Sequence, residues 1–201
     1  MVAVIDADVK IRGLLSSFTV TDAELKFRAL LSLPRIPVGT AAAGLVTMSP
    51  RRPPRLRGFN YVGQHGYFVT CCTASRQQAF VDEASVDCVR TQMLRTCSDK
   101  DFEEIASVFM PDHLHVLLRG TSTSSAFLPF MKLMRQRTAM FYRRLTGESL
   151  WQQGYFDRVL RPDDDLTRIT RYMMENPVRA GLIGKPEDYP FSYLQLSPCG
   201  R

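Results

Sequence analysis

Apolar residues recur along this chain with two different periods, and the changes between them mark its elements. Alternation at every second position marks a strand, and recurrence three and four residues apart marks a helix. Residues 66–73 are β-branched and aromatic and predict a first strand, followed by a polar turn that holds Arg76. Asp82 is placed to cap a helix in which Val86, Val89 and Met93 recur at helical spacing until Ser98-Asp99-Lys100 breaks the pattern. Residues 105–110 predict a second strand, and Pro111-Asp112 turns it into a third, residues 110–120, that should pair with it antiparallel. A Ser/Thr cluster then precedes a long helix over about 125–145, with Phe127, Met131, Met134, Phe141 and Leu145 on its apolar side. Residues 150–161 read as a loop and a short strand. Asp163-Asp164-Asp165 caps a further helix through Leu166, Ile169, Tyr172 and Met173, which Asn176-Pro177 ends or kinks.

Upstream the texture differs. Thr21-Asp22-Ala23-Glu24 is a capping-box signature for a short helix that Pro34 must end. The Pro-rich run over residues 51–57 is no helix interior, and it carries Arg51, Arg52, Arg55 and Arg57. It reads as an extended basic arm able to lie along phosphates, or as a solvated linker. Either way the main domain starts near Gly58, giving an appendage and arm over 1–57 and a domain over 58–201.

Hydrophobic residues make up 45% of the 201 residues, enough for one good core. Lys and Arg outnumber Asp and Glu by 26 to 20, and the pI near 9.2 favours a polyanionic partner, nucleic acid before an anionic membrane surface. No apolar run approaches a membrane span, and Asp6, Asp8 and Lys10 break up the start, so the expected location is the cytosol. Five cysteines without Cys-x-x-Cys spacing suggest reduced thiols, mostly in the core.

Candidate chemistry centres on Met110-Pro111-Asp112-His113-Leu114-His115, which holds two of the three histidines. Strand alternation gives His113 and His115 one face and Leu114, Val116 and Leu118 the other. The pair is either polar decoration on a half-solvated strand or part of a metal site, and a third ligand must decide between them. The long helix carries Lys132, Arg135, Arg137, Arg143 and Arg144, five cations with no acid between Thr121 and Gly147, which points to a nucleic-acid groove. Tyr172 and Asn176, four residues apart, share a helix face.

Three separate stretches, residues 110–120, 151–158 and 172–182, resemble in order and spacing the single-tyrosine HUH transposases, and most of all the REP-associated tyrosine transposases. The resemblance spans about residues 58–194. It implies an α+β, ferredoxin-like domain with a central antiparallel sheet flanked by helices. His113 and His115 match the HUH pair, Tyr172 the nucleophile, and Asn176 the position that completes the metal site. Asp112 stands where the family commonly has Asn, and Met173-Met174-Glu175 replaces a more usual Ile-His-x stretch. Residues 1–47 match nothing in the family, whereas Met48 resembles a family start, so 1–47 are expected to lie upstream of the natural one.

The implied activity is cleavage and rejoining of hairpin-bearing single-stranded DNA through a 5′-phosphotyrosine, with Mg²⁺ or Mn²⁺ bound. Tyrosine attacks a phosphodiester poorly at neutral pH unless charge on the phosphorus oxygens is stabilised, which a divalent cation does. The retained phosphoester then permits rejoining without ATP. The alternatives are a metal-dependent nuclease that uses water, and a catalytically silent, transposase-derived DNA-binding protein or repressor. The family includes both monomers and homodimers that exchange tyrosine helices.

Overall fold

Five strands and the helices between them are described by a computed structural model covering Leu56 and residues 58–195. The capping box at 21–24, Arg51, Arg52, Arg55 and Arg57 of the basic arm, the Met48 boundary and Cys199 lie outside the described residues. The strands are β1 (Gly66–Cys72), β2 (Phe102–Met110), β3 (His113–Gly120), β4 (Phe156–Val159) and β5 (Ser192–Leu194). The helices are α1 (Glu83–Asp99), α2 (Phe127–Thr146), α3 (Leu166–Met174) and the single turn α4 (Asn176–Arg179), with one-turn 3₁₀ segments at Ala74–Arg76 and Pro186–Asp188.

The sheet order is β4-β1-β3-β2-β5, with every neighbouring pair antiparallel. The first four of these strands with α1 and α2 form the expected ferredoxin-like arrangement, in which β3 is inserted between β1 and β2. β5 adds an edge beside β2. Among the described residues no helix is long and apolar enough to cross a membrane.

One face of the sheet builds the main core. Tyr67, Val69 and Cys71 of β1, and Leu114, Val116 and Leu118 of β3, meet Val86, Val89 and Met93 of α1 and Phe127, Phe130, Met131 and Met134 of α2. Each such side chain, fully buried, is worth roughly 1.5–3 kcal/mol. The caps follow local chemistry: Asp82 accepts from the Ser85 amide at the start of α1, and Gly147 ends α2 at φ +82°, in the left-handed region that glycine enters freely.

β5 was not foreseen in the sequence, and two other elements differ from its reading. β2 begins at Phe102 rather than Ile105, because Glu103 and Glu104 do not stop the strand. Glu104 is buried, but Arg90 of α1 meets it at 3.0 Å, and a bulge between Glu104 and Ala106 resets the alternation. Arg90 also stacks 3.9 Å from the Tyr193 ring centroid, joining α1, β2 and β5. In α2 the buried stripe ends on Thr138 and Tyr142; Leu145 is exposed and Phe141 only half-buried. That half of the helix packs against the 150–155 segment, where the Trp151 indole N–H donates to Thr138 Oγ1 at 2.8 Å.

Candidate functional site

β3 presents His113 and His115 on the sheet face away from the main core, as alternation requires. Register then selects their neighbours. Thr70 lies opposite His115 across the β1–β3 pair, and its hydroxyl is 2.9 Å from His115 Nδ1. Asp112 Oδ1 lies 2.6 Å from His113 Nδ1, and Arg76 donates to the other carboxylate oxygen at 3.0 Å. With both Nδ1 atoms so engaged, the two Nε2 atoms converge to 3.1 Å. When each Nδ1 carries its ring's proton, two lone pairs face one another, a repulsion that a shared cation relieves. The separation is that of adjacent ligands on one ion, given metal–nitrogen bonds of about 2.1 Å.

Electrostatics keep His115 neutral. Burial, the neighbouring His113 and the charge of Arg179 push the His115 pKa down to about 3 against the opposing pull of Asp112. Burial works against ionised Asp112, yet the His113 hydrogen bond and the charges of His113 and Arg76 still hold its carboxyl below the usual range. Arg76 reaches Asp112 from a turn in which Ser75 and Arg76 both have positive φ, 52° and 59°. Such backbone is disfavoured for non-glycine residues, by roughly 1 kcal/mol or more each. Thr73 braces the turn, its hydroxyl donating to Gln77 O and its backbone N–H to Asp112 O.

α3 packs against β2, and buried Thr170, Met173 and Met174 leave Tyr172 on its outer side. Of the seven tyrosines in the chain, Tyr172 alone is exposed, at 57%. Tyr155, the other tyrosine in a candidate DNA-facing loop, is buried against Phe127. Glu175 joins α3 to α4, so Asn176-Pro177 kinks the path, and Pro177 occupies a first-turn position where its missing N–H is harmless.

Arg179 links the two expected residues, donating to the Tyr172 carbonyl oxygen and to Asn176 Oδ1. Asn176 Nδ2 is buried without a partner. Among the described residues no group of three or more His, Cys, Asp or Glu stands ready for a metal, so a third protein ligand there would be of another type. A carboxamide oxygen is such a donor, and Asn176 Oδ1 keeps a second lone pair beyond the one Arg179 uses.

The cations of α2 divide into two sets. Lys132, Arg143 and Arg144 are exposed, whereas Arg137 pairs with Asp99 and Arg135 donates to the Gln152 carbonyl with its guanidinium 5.6 Å from the Tyr155 ring centroid. Arg135, Arg143, Met140 and Trp151 line an open cleft of about 460 Å³. Sequence reasoning assigned no role to Thr70, Arg76 or Arg179 and treated Asp112 as a turn. Only the position of Arg179, seven residues after Tyr172 and three after Asn176, carried a helical signal.

A family model described as "Transposase IS200 like" matches residues 61–176. A candidate REP-associated tyrosine transposase of Haemophilus influenzae is 24% identical over 140 residues, 63% of this chain and 77% of that protein. The ISDra2 transposase TnpA of Deinococcus radiodurans is 30% identical over 107 residues, 49% of this chain and 75% of its own length. A solved REP-associated tyrosine transposase bound to a REP hairpin superposes with a TM-score of 0.57 at 22% identity, covering 72% of this chain and 82% of that one. The last of these shows the shared fold.

Proposed function

This chain belongs to the family of IS200-like transposases, and from that premise we propose that it cleaves and rejoins single-stranded DNA beside a hairpin, with Tyr172 as nucleophile. The observation that carries the reading is the convergence of His113 and His115 Nε2 at 3.1 Å, each ring oriented through its Nδ1. His113, His115 and Asn176 would hold a divalent ion, Mn²⁺ or Mg²⁺. Such an ion, when bound, supplies Lewis-acid stabilisation of charge on the phosphorus oxygens.

The chain's own residues do the rest. Asp112, an acceptor, favours a proton on His113 Nδ1, Thr70 orients the His115 ring, and burial keeps His115 neutral so that a lone pair is available at physiological pH. Tyr172, exposed on α3, can reach a strand arriving from solvent, and Asn176, one turn on, would tie its helix to the ion as third ligand. Attack leaves a 5′-phosphotyrosine and a free 3′-hydroxyl, and a 3′-hydroxyl attacking that linkage reverses the step. The hairpin partner is suggested by the REP hairpin bound to the structural neighbour. Lys132, Arg143 and Arg144, with the arm cations Arg51, Arg52, Arg55 and Arg57, supply positive charge for it, while Arg135 and Arg137 are held by Gln152 and Asp99. Acting on the DNA of its own cell, the protein would work in the cytoplasm, as monomer or homodimer.

The test is incubation of the protein and Mn²⁺ with a library of hairpin-bearing single strands, scored for covalent product on denaturing gels. Wild type should form an adduct that maps to Tyr172. Tyr172→Phe and His115→Ala should form none while still binding the strands. Cleavage without an adduct would instead indicate water as nucleophile, and binding with no cleavage at all a silent DNA-binding protein.

A further inference from the structure

Arg179 makes more contacts at the α3–α4 break than a helix terminus needs. Its Nη2 donates to Tyr172 O and Asn176 Oδ1, and its Nη1 lies 3.3 Å from Glu175 Oε2. The guanidinium carbon also sits 4.0 Å from the centroid of the Tyr172 ring. Helical spacing makes this possible, since residues 172, 175, 176 and 179 fall on one side of the path. Of the five N–H donors of a guanidinium, these contacts engage three, leaving Nε–H and one Nη1 hydrogen without an acceptor among the described residues. The side chain remains 39% exposed.

A cation in this position opposes a second cation but attracts an anion. We propose that Arg179 is a catalytic residue, binding the non-bridging oxygens of the scissile phosphate through these remaining donors while Tyr172 attacks. The assignment rests on the tyrosine reading above and adds to it the group that recognises the phosphate. As the bond from Tyr172 Oη to phosphorus forms, the P–O3′ bond breaks. The phenol proton passes to solvent, and the departing 3′-oxygen takes one up. Negative charge on the non-bridging oxygens grows through the transition state, and a guanidinium already fixed by Asn176, Glu175 and the Tyr172 carbonyl meets it without reorganising. The contacts to Tyr172 and Asn176 hold the cation in place.

The test compares Arg179→Ala, Arg179→Lys and Arg179→Gln with wild type on the hairpin strand selected by the library. Each is assayed with a normal phosphodiester and with a neutral methylphosphonate at the cleavage position. At saturating strand and Mn²⁺, Arg179→Ala should slow adduct formation on the phosphodiester by about 10²–10³-fold, the usual loss for one charge-stabilising donor. Arg179→Lys should recover part of that loss, and Arg179→Gln little. On the methylphosphonate, which lacks the charge to be neutralised, the Ala and wild-type rates should come within about tenfold of each other.

Mn²⁺ affinity without DNA should be unchanged or tighter in Arg179→Ala, because a neighbouring cation is gone. Equal losses on both substrates would reduce Arg179 to a structural staple, and weaker Mn²⁺ binding would make it a positioning residue for Asn176; either outcome overturns the proposal. If Arg179→Ala melts early, the Lys and Gln variants carry the comparison. A wild-type protein that forms no adduct removes the functional reading itself, whereas a wild-type adduct with equal losses removes only the role of Arg179.

Discussion

Gly120 closes β3 where the chain leaves the sheet, and its surroundings leave no room for a side chain. A Cβ there would lie 2.3 Å from the Gly63 carbonyl oxygen and 2.9 Å from Ser125 Cβ. Those neighbours cannot step aside cheaply, because Gly120 N–H donates to His65 O and Gly63 N–H to Ser125 O. Gly120→Ala should therefore destabilise by about 1–3 kcal/mol, the usual cost of overpacking. In a chain of this size that lowers the melting temperature by several degrees. An unchanged melting curve would show that the 58–65 segment moves freely. In the sequence this glycine only ended a hydrophobic run; its constraint comes from a backbone segment of the fold 57 positions earlier.

At the scale of elements, α2 was legible as a cationic helix but not as two kinds of cation. Arg135 and Arg137 are committed to Gln152 and Asp99, and their removal should lower stability. Lys132, Arg143 and Arg144 have exposed heads and are free to meet phosphates. Replacing these three with alanine should leave the melting temperature within a degree or two of wild type. It should also flatten the dependence of hairpin affinity on salt by roughly one unit of log–log slope for each phosphate no longer neutralised. A triple variant with the wild-type slope would move the DNA path off this face. The helix period could not sort the cations, since Asp99 and Gln152 reach α2 only through tertiary packing.

For the whole molecule, every motif assigned to the chemistry lies after Met48, as does the main core formed among the described residues. A chain beginning at Met48 should keep the melting temperature, the Mn²⁺-dependent adduct and, through the retained arm, the salt dependence of the full chain. Insolubility or loss of the adduct would mean that residues 1–47 complete the fold or the site. The formal charge of +6 belongs at this scale too, steering the protein towards polyanions without selecting one.

The sequence by itself determined the order and type of the elements from β1 to α3, because hydrophobic period, caps and turn residues are local properties of the chain; the three-residue β5 is too short to carry a period and exists through its pairing with β2. It also determined that His113 and His115 share a face, since strand alternation needs no partner. Tertiary structure decided what those side chains meet. Strand register set Thr70 against His115, and a positive-φ turn brought Arg76 to Asp112. Arg90 allowed a carboxylate inside β2, and packing buried six tyrosines to differing depths while leaving Tyr172 open to solvent. These are outcomes of long-range contact and of dielectric environment, and neither is a function of spacing along the chain.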